Sequence, residues 1–506
     1  MPSARIALGL AFAVWLSSPA AAGPAAAGQA DPPTPARDGV RERLGEIFDG
    51  DGVNALWAVK IVSLDKGDVI FERNPRLLVM PASTMKVVTL GVAAERLGWD
   101  ARFTTRIEAT APIENGVLAG DLIVTGGGDP TIGEGDEPTR VFDEWASRLA
   151  LLGLTRVEGR IIGDDDAWPD QLLGNGWAWD DLAFGYAAPL GALQFHESTA
   201  QVVITAGPQP GAPATMRIEP AGTDLILTGH VETVAADQPA LVFSRRRPFS
   251  RTLEVTGAIP RTDRDYVRTV AVDNPTRGFV AAFRDALARA GVAVGGDAMD
   301  IDDLPAKPSS PRTTLITHES QPLREIAVRL MKTSQNLIAE TLLLQIGLTA
   351  DVPDPDPVVA ARGAYERTLA AWGVPADGLI LADGSGLSRY DFTTADTLVA
   401  VLSHMAKDPR HAQPFEASLP IMGVDGTLAG RQKDSRLEGR VHAKTGSISN
   451  VRALAGYLTT AAGEKLVFAI VANNFKARSS AIDVIADKAL GELVGRDRRP
   501  GCCAAR

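Results

Sequence analysis

Pro81-Ala82-Ser83-Thr84-Met85-Lys86 runs directly into the apolar stretch Val87-Val88-Thr89-Leu90-Gly91-Val92-Ala93-Ala94-Glu95-Arg96-Leu97, and Gly98 follows. Apolar residues occupy nearly every face of a helix drawn over this stretch, which predicts a helix buried at the centre of a domain. Ser83 would lie in its first turn. Because Ser83 and Lys86 are three residues apart, their side chains would share one helix face about one turn from each other. The lysine amine could then take the serine hydroxyl proton and make the serine a nucleophile.

A lysine can act as a base only if part of its population is neutral. Burial, the positive end of the helix dipole and a second nearby cation all favour the neutral amine. Lys444 is the candidate for that second cation. Taken alone, the Ser-x-x-Lys pattern is also compatible with an ordinary helix start that carries a solvated lysine, because such short patterns arise by chance.

Two further motifs follow downstream, and their order argues against a chance pattern. Ser334-Gln335-Asn336 comes first, and Lys444-Thr445-Gly446-Ser447 follows it. Ser-x-x-Lys, Ser-Asp-Asn and Lys-Thr-Gly together are the signature of class A β-lactamases and penicillin-binding proteins. The middle motif has Gln in place of Asp here but keeps both polar ends. Each motif also has a purely structural alternative: a helix-capping turn for the middle one and an edge-strand turn for the last.

The length and composition are typical of an exported soluble enzyme with two or more domains, because 506 residues with 45% hydrophobic content can form sizeable cores. A net charge of -11 argues against nucleic acid or an anionic membrane as the main partner. Residues 1–22 combine Arg5, an apolar core and Ala20-Ala21-Ala22, which predicts a secretory signal peptide and a periplasmic location. The alternative is an uncut tether, although the apolar core is too short to span a bilayer. No second apolar run is long enough to do so.

Cysteine and histidine contribute little to the prediction. Cys502 and Cys503 both lie in a polar basic tail, so no disulfide framework is expected. The six histidines show no metal-ligand spacing, and neither a metal nor another cofactor is expected.

The two ends of the chain are predicted to fold together as one α+β domain, because strands near both ends flank the buried helix. This prediction rests on a hairpin at 56–62 and 69–72, two strands at 451–458 and 466–472, a helix at 40–48 and a helix at 480–494. The predicted organisation is a signal peptide at 1–22, a flexible lead-in at 23–38, a discontinuous catalytic domain at 39–99 and 311–495, an accessory insert at 100–310 and a disordered tail at 496–506.

The sequence pattern of the insert differs from that of the segments on either side of it. It repeats an aliphatic-x-Gly-x-aliphatic unit at 118–122, 157–161, 227–231 and 255–259. Such units suit short strands that bend, or are closely approached, at glycine, which predicts mostly β structure in one or two accessory domains. Gly126-Gly127-Gly128-Asp129-Pro130 fits neither a P-loop nor a dinucleotide fingerprint and is interpreted as a structural turn.

These features together resemble one family. The chain resembles D-alanyl-D-alanine carboxypeptidase/endopeptidases, the class C low-molecular-mass penicillin-binding proteins of the penicillin-binding protein 4 type. The resemblance rests on the three motifs, on the insert of about 200 residues and on three further stretches. These stretches are 126–130, Gly176-Trp177-Ala178-Trp179-Asp180-Asp181 and Asp383-Gly384-Ser385-Gly386-Leu387-Ser388-Arg389. The resemblance implies a β-lactamase/transpeptidase-like catalytic domain, with an antiparallel sheet flanked by helices, interrupted by two nested accessory domains. The expected partners are peptidoglycan stem peptides and β-lactams, and a homodimer is possible.

The residue roles follow from the chemistry and agree with the resemblance. Ser83 would attack the carbonyl between two D-alanines, or between D-alanine and a cross-linking residue, with Lys86 as the acylation base. Ser334 would relay a proton to the departing amine. Asn336 would hold Lys86 and the substrate amide. Lys444 and Thr445 would bind the terminal carboxylate.

Backbone N–H groups complete the expected site. Those of Ser83 and Ser447 would hold the oxyanion, next to Gly446. Asp181 is a candidate for binding a charged amino group of the stem peptide, with an ordinary surface acid as the alternative. The 383–386 stretch is interpreted as a structural loop near the site.

Three functional hypotheses follow: a periplasmic serine D,D-peptidase, a β-lactamase, and a peptidoglycan-binding protein without turnover. The large insert argues against the second, and the intact Ser83, Lys86, Ser334 and Lys444 argue against the third.

Overall fold

The computed structural model describes residues 39–50, 52–170, 173–220, 223, 225–247, 250–262 and 264–495. The predicted signal peptide at 1–22, the lead-in at 23–38 and the tail at 496–506 with its two cysteines lie outside these residues. No helix in the described part of the chain combines the length and apolarity needed to cross a bilayer.

Helices and strands are numbered in chain order. The α-helices are α1 Gly39–Gly50, α2 Met85–Leu97, α3 Arg140–Leu151, α4 Pro275–Arg289, α5 Leu323–Lys332, α6 Asn336–Leu348, α7 Pro357–Ala371, α8 Ala395–Lys407, α9 Ala412–Ser418 and α10 Ser479–Val494. The strands are β1 Leu56–Ser63, β2 Val69–Arg73, β3 Thr104–Ala109, β4 Ile113–Glu114, β5 Val117–Leu118, β6 Leu122–Thr125, β7 Arg156–Val157, β8 Ile161–Asp164, β9 Thr199–Thr205, β10 Thr215–Glu219, β11 Ile226–Val234, β12 Leu241–Arg246, β13 Thr252–Pro260, β14 Tyr266–Ala271, β15 Ala293–Val294, β16 Ala298–Asp300, β17 Thr313–Glu319, β18 Leu379–Ile380, β19 Phe392–Thr393, β20 Val441–Ile448, β21 Val451–Thr459 and β22 Lys465–Asn473.

One antiparallel sheet joins the two ends of the chain. Its order is β2-β1-β22-β21-β20, so the amino-terminal hairpin pairs with the carboxy-terminal strands. Both faces are covered, because successive residues of β22 point to opposite sides: Val467 packs toward α2, α5 and α6, whereas Phe468 packs toward α1 and α10. The predicted α+β fold with a sheet flanked by helices is confirmed.

The helix predicted from the opening motif is α2, and its residues from Met85 to Ala94 are all buried. It packs within the larger of the two cores, against α6 and α8. Ser83 lies just before it, in a turn of 3-10 helix at Ala82–Thr84, so the serine precedes the α-helix rather than occupying its first turn. The buried helix therefore fixes the position of Ser83, the predicted nucleophile.

The insert contains two groups of strands with separate hydrophobic cores. The first group comprises the sheets β16-β8-β6-β3-β17 and β15-β7-β5-β4, packed on α3 and α4. The second comprises the sheets β10-β9-β14 and β11-β13-β12. Because β9 to β14 lie between β8 and α4 in the chain, the second group is nested in the first. Strands dominate the insert as predicted, and α3 and α4 are helices that the glycine pattern did not reveal.

The repeated glycine units are places of close backbone approach. Between β5 and β6 the chain passes Gly120, and between β7 and β8 it passes Gly159, each time crossing from one sheet of the first group to the other. A Cβ on Gly159 would lie 2.4 Å from the carbonyl oxygen of Gly120. This agrees with the predicted role of these glycines.

The sheet pairing bears on the expected limits of the insert. Strand β17 pairs with β3, so the first sheet of the insert continues to Glu319, beyond the expected boundary at 310. The other domain boundaries stay predictions.

Candidate active site

Ser83 and Lys86 are in direct contact. The Lys86 Nζ donates a hydrogen bond to the Ser83 Oγ at 3.0 Å. The lysine is fully buried, which excludes the solvated helix start that the short motif alone allowed. The contact is the one that proton transfer between the two groups requires.

The Lys86 ammonium has two other partners, and both can only accept. Its Nζ donates to the Asn336 Oδ1 at 2.6 Å and to the Ser385 carbonyl oxygen at 2.9 Å. A lysine ammonium has three protons, and all three are used here. Among the three partners only the Ser83 hydroxyl carries a hydrogen of its own. A neutral Lys86 can therefore keep the other two bonds and turn its lone pair toward Ser83.

Burial shifts Lys86 toward this neutral state. It lowers the pKa of Lys86 from 10.5 to about 8. Three buried carboxyl groups oppose part of that fall by raising the pKa, in descending order Asp383, Glu340 and Asp391. With a pKa of about 8, roughly one amine in ten is neutral at pH 7 and about half at pH 8, so a population able to act as a general base is present.

Ser334 and Lys444 form a second serine–lysine contact. The Lys444 Nζ donates to the Ser334 Oγ at 2.8 Å and to the Thr445 carbonyl oxygen at 2.9 Å. Lys444 is fully buried, and burial holds its pKa well below the ordinary value, with the nearby Lys86 cation adding to the effect. Ser334 has a φ of 62°, an uncommon backbone conformation for a residue other than glycine. The predicted role of Lys444 as a second cation that favours the neutral Lys86 amine stays a prediction.

Asn336 connects Lys86 to the insert. It is the first residue of α6, and the Gln335 side chain caps this helix by accepting from the Leu337 N–H. Asn336 Oδ1 accepts from Lys86, and its Nδ2 donates to the Tyr186 carbonyl oxygen at 2.7 Å. The middle motif thus serves both readings of the sequence, as a helix cap and as part of the site.

The last motif lies on β20, beside the turn that carries Ser83. A Cβ on Gly446 would lie 2.7 Å from the Pro81 carbonyl oxygen, so only glycine lets the strand come this close. Thr445 shares a hydrogen bond of 2.8 Å with the Thr427 hydroxyl. Ser447 is exposed at the mouth of the cleft.

Five of the predicted residues line one cleft of about 530 Å³. Its walls include Ser83, Ser334, Asn336, Ser447 and Asp181. Lys86 and Lys444 lie behind Ser83 and Ser334, where their amines contact the two hydroxyls. The structure therefore brings together every residue that the sequence placed in the site.

Asp181 lies in the cleft wall, and it is the one carboxylate among the described residues that line the cleft. Its Oδ1 accepts from the Tyr186 hydroxyl at 2.7 Å. Burial raises the pKa of Tyr186, and the Asp181 carboxylate adds to this. The tyrosine therefore stays a hydrogen-bond donor to Asp181.

The 383–388 loop supplies contacts that the motifs did not predict. The Ser385 carbonyl binds Lys86, and Gly386, with a φ of +80°, packs against the carbonyl oxygen of Ala82. Behind the loop, Glu340 accepts from the N–H of Ser385 at 2.8 Å. Two signals could have found these residues: the Asp-Gly-Ser-Gly sequence, and an acid one helical turn after Asn336 in an otherwise apolar helix.

Comparison with known proteins agrees with this geometry. The D-Ala-D-Ala carboxypeptidase 3 (S13) family matches residues 41–489. A D-alanyl-D-alanine carboxypeptidase from Actinomadura sp. (strain R39) is 34% identical over 448 residues, which are 86% of this chain and 81% of the relative. The crystal structure of penicillin binding protein 4 (dacB) from Haemophilus influenzae superposes with a TM-score of 0.78 at 26% identity, covering 89% of this chain and 99% of that one. The same protein complexed with a β-lactam gives a TM-score of 0.72 at 25% identity.

A serine in the turn before a buried helix, in contact with a buried lysine on that helix beside an antiparallel sheet, defines a serine acyltransfer enzyme of the penicillin-binding class. The chain belongs to the D-Ala-D-Ala carboxypeptidase 3 (S13) family. The resemblance stated from the sequence is thereby confirmed.

Proposed function

We propose that the protein is a serine D,D-peptidase that cleaves peptidoglycan stem peptides through an acyl-enzyme on Ser83. The observation that carries this proposal is the contact between the Lys86 amine and the Ser83 hydroxyl, in which the other two partners of the amine can only accept. The family and its carboxypeptidase relatives support the reaction class.

Acylation follows from the contacts. The Ser83 Oγ attacks the carbonyl carbon that precedes the terminal D-alanine, and its proton passes to Lys86. The N–H groups of Ser83 and Ser447 stabilise the oxyanion, and Lys444 supplies positive charge and, with Thr445, binds the terminal carboxylate. Ser334 passes its proton to the departing amine as the peptide C–N bond breaks and takes a proton from the Lys444 amine, which donates a hydrogen bond to it. Water then attacks the ester and gives a proton back to Lys444 through Ser334, while Lys86 returns its proton to the Ser83 oxygen as the ester C–O bond breaks.

Asp181 adds a substrate contact at the cleft wall. Its carboxylate binds a charged amino group on the third residue of the stem peptide, and the Tyr186 hydroxyl fixes its orientation. The same cleft takes β-lactams as substrate mimics, which the complex of the Haemophilus influenzae relative supports. Because its substrate lies outside the cytoplasm, the enzyme acts in the periplasm.

A fluorescent penicillin tests the proposal. We expect durable covalent label on the wild type and none on Ser83→Ala, whose thermal unfolding should match that of the wild type. Label lost within seconds would instead indicate a β-lactamase, and an unlabelled wild type would indicate a binding protein without turnover. Mass analysis of digested wall fragments then separates carboxypeptidase activity, which releases free D-alanine, from endopeptidase activity, which converts cross-linked dimers to monomers.

A further inference from the structure

Three acidic side chains are buried behind Lys86, outside the cleft and outside the three motifs. They are Glu340 on α6, and Asp383 and Asp391 on either side of the loop that contacts Lys86. Buried carboxyl groups are unfavourable unless hydrogen bonds or charges compensate them. Nearby hydrogen-bond donors or positive charges must therefore compensate these three carboxyl groups.

Asp383 organises the loop from inside. Its Oδ1 accepts from the N–H groups of Ser385 and Gly386 at 3.0 and 2.6 Å, and its Oδ2 accepts from the Ser388 N–H at 2.7 Å. The Trp177 indole N–H completes the set at 2.9 Å. These bonds fold the loop around one carboxylate and fix the direction of its carbonyl groups.

Glu340 connects this loop to the helix that begins with Asn336. Its carboxylate accepts from the Gly384 N–H at 3.0 Å and from the Ser385 N–H at 2.8 Å. Ser385 in turn presents its carbonyl oxygen to the Lys86 amine. Of the three partners of Lys86, Asn336 lies on α6 itself, and Ser385 is held by Glu340, one turn further along the same helix.

The charges around Lys86 also indicate a role for Glu340. The described titratable groups that face Lys86 are the carboxyls of Asp383, Glu340 and Asp391 and the amine of Lys444. Burial raises the pKa of Glu340, and the Asp383 carboxylate raises it further, whereas Lys86 lowers it. Tyr365, also fully buried, faces Glu340 as a neutral phenol.

We propose that Glu340 is a positioning residue for the Ser83 reaction, which holds the Ser385 carbonyl on the Lys86 amine and sets, through its charge, the pH at which that amine loses its proton. The proposal rests on the proposed function of Ser83 and Lys86. It assigns Glu340 no contact with substrate. Glu340 acts through Lys86 alone.

The test is the pH dependence of acylation by a fluorescent penicillin in the full-length enzyme. The acid limb of the wild-type profile reports the loss of the Lys86 proton. Burial raises the pKa of Glu340 to about 8, close to that of Lys86, so the Glu340 charge is present in the upper part of this limb and absent well below it. Glu340→Gln removes that charge, so the midpoint should move to lower pH by up to about one unit, and the two normalised profiles should differ most near pH 8 and converge well below it.

Two variants separate charge from packing. Glu340→Asp keeps the charge and should keep the wild-type midpoint, even if its plateau falls. Glu366→Gln removes an exposed acid on α7 and should leave the whole profile unchanged. A merely structural role for Glu340 would lower the plateau of Glu340→Gln without moving its midpoint, and that result would overturn the proposal.

Asp383→Asn removes a second negative charge near Lys86 and should move the midpoint in the same direction. If Glu340→Gln does not fold, Asp383→Asn becomes the test. An unchanged midpoint in Asp383→Asn would contradict the claim that the buried carboxylates raise the pKa of Lys86. Failure of the proposed function looks different: the wild type would then take no label, or would keep its label in Ser83→Ala.

Discussion

Gly386 gives the sharpest test of how the site is built. The residue has a φ of +80°, and a Cβ placed on it would lie 1.9 Å from the Ala82 carbonyl oxygen. That carbonyl belongs to the peptide whose N–H is the predicted Ser83 oxyanion donor. Gly386→Ala must therefore push the Ala82–Ser83 peptide away by about 1 Å before contact distances become normal.

Two effects combine in this variant. Alanine in the left-handed region is unfavourable by about 1–2 kcal/mol, and overpacking adds about 1–3 kcal/mol. A displacement of about 1 Å at a reacting group can lower the rate about a hundredfold, and loss of one oxyanion donor lowers it by about a hundred- to a thousandfold. We expect the second-order rate constant for acylation by a fluorescent penicillin to fall at least about a hundredfold.

Gly373 provides the matched control. Its φ is +78°, but nothing lies within 4 Å of an added Cβ. Gly373→Ala should lower the free energy of unfolding by about 1–2 kcal/mol and leave acylation close to the wild-type rate. If Gly386→Ala acylates as fast as Gly373→Ala while both remain folded, the argument that the loop fixes the Ser83 peptide is wrong.

Three further outcomes follow from the buried charges. The wild-type acylation rate should rise with pH through about 8, because only the neutral Lys86, whose pKa burial lowers to about 8, can take the Ser83 proton. Asn336→Asp puts a carboxylate against the ammonium and should move this midpoint upward by about one unit or more, measured in the same assay. Asp165 tests stability, because burial raises its pKa from 3.8 to about 7. Between about pH 4 and 7 the folded state binds one proton more than the unfolded state, so the stability of the wild type falls as the pH rises through that range. The melting temperature of Asp165→Asn, measured relative to the wild type, should therefore rise as the pH is raised from about 4 to 7.

The central sheet could be predicted because its signals are local. Alternating apolar residues mark β1, β21 and β22, and a Lys-Gly turn marks the first hairpin. The position of α2 followed from its apolar residues on every face. The helices α3 and α4 were missed because the insert was read from its glycines, whereas these two helices carry their own apolar stripes, with Phe142 and Phe279 buried against each other.

The side chains that we propose as catalytic could be recognised in the sequence, but the groups that hold them in place could not. Ser83, Lys86, Ser334, Asn336 and Lys444 belong to motifs whose residue types are dictated by the chemistry. The Ser385 and Tyr186 carbonyls, by contrast, are backbone groups that any residue could supply, so no side-chain pattern records them. Their importance depends on direction in space, and the long-range packing of the loop and the insert sets that direction.

The insert is part of the active site rather than an appendage to it. Its Tyr186 carbonyl accepts from the Asn336 amide, and its Trp177 indole donates to Asp383. Further along, the Gln194 amide donates to the Thr341 hydroxyl on α6 at 3.0 Å. Each of these bonds satisfies a buried or half-buried polar group, and leaving such a group unpaired costs about 1–3 kcal/mol. The 173–196 segment therefore stabilises the arrangement of Asn336, Asp383 and α6 around Ser83, so we expect its removal to disturb the candidate site.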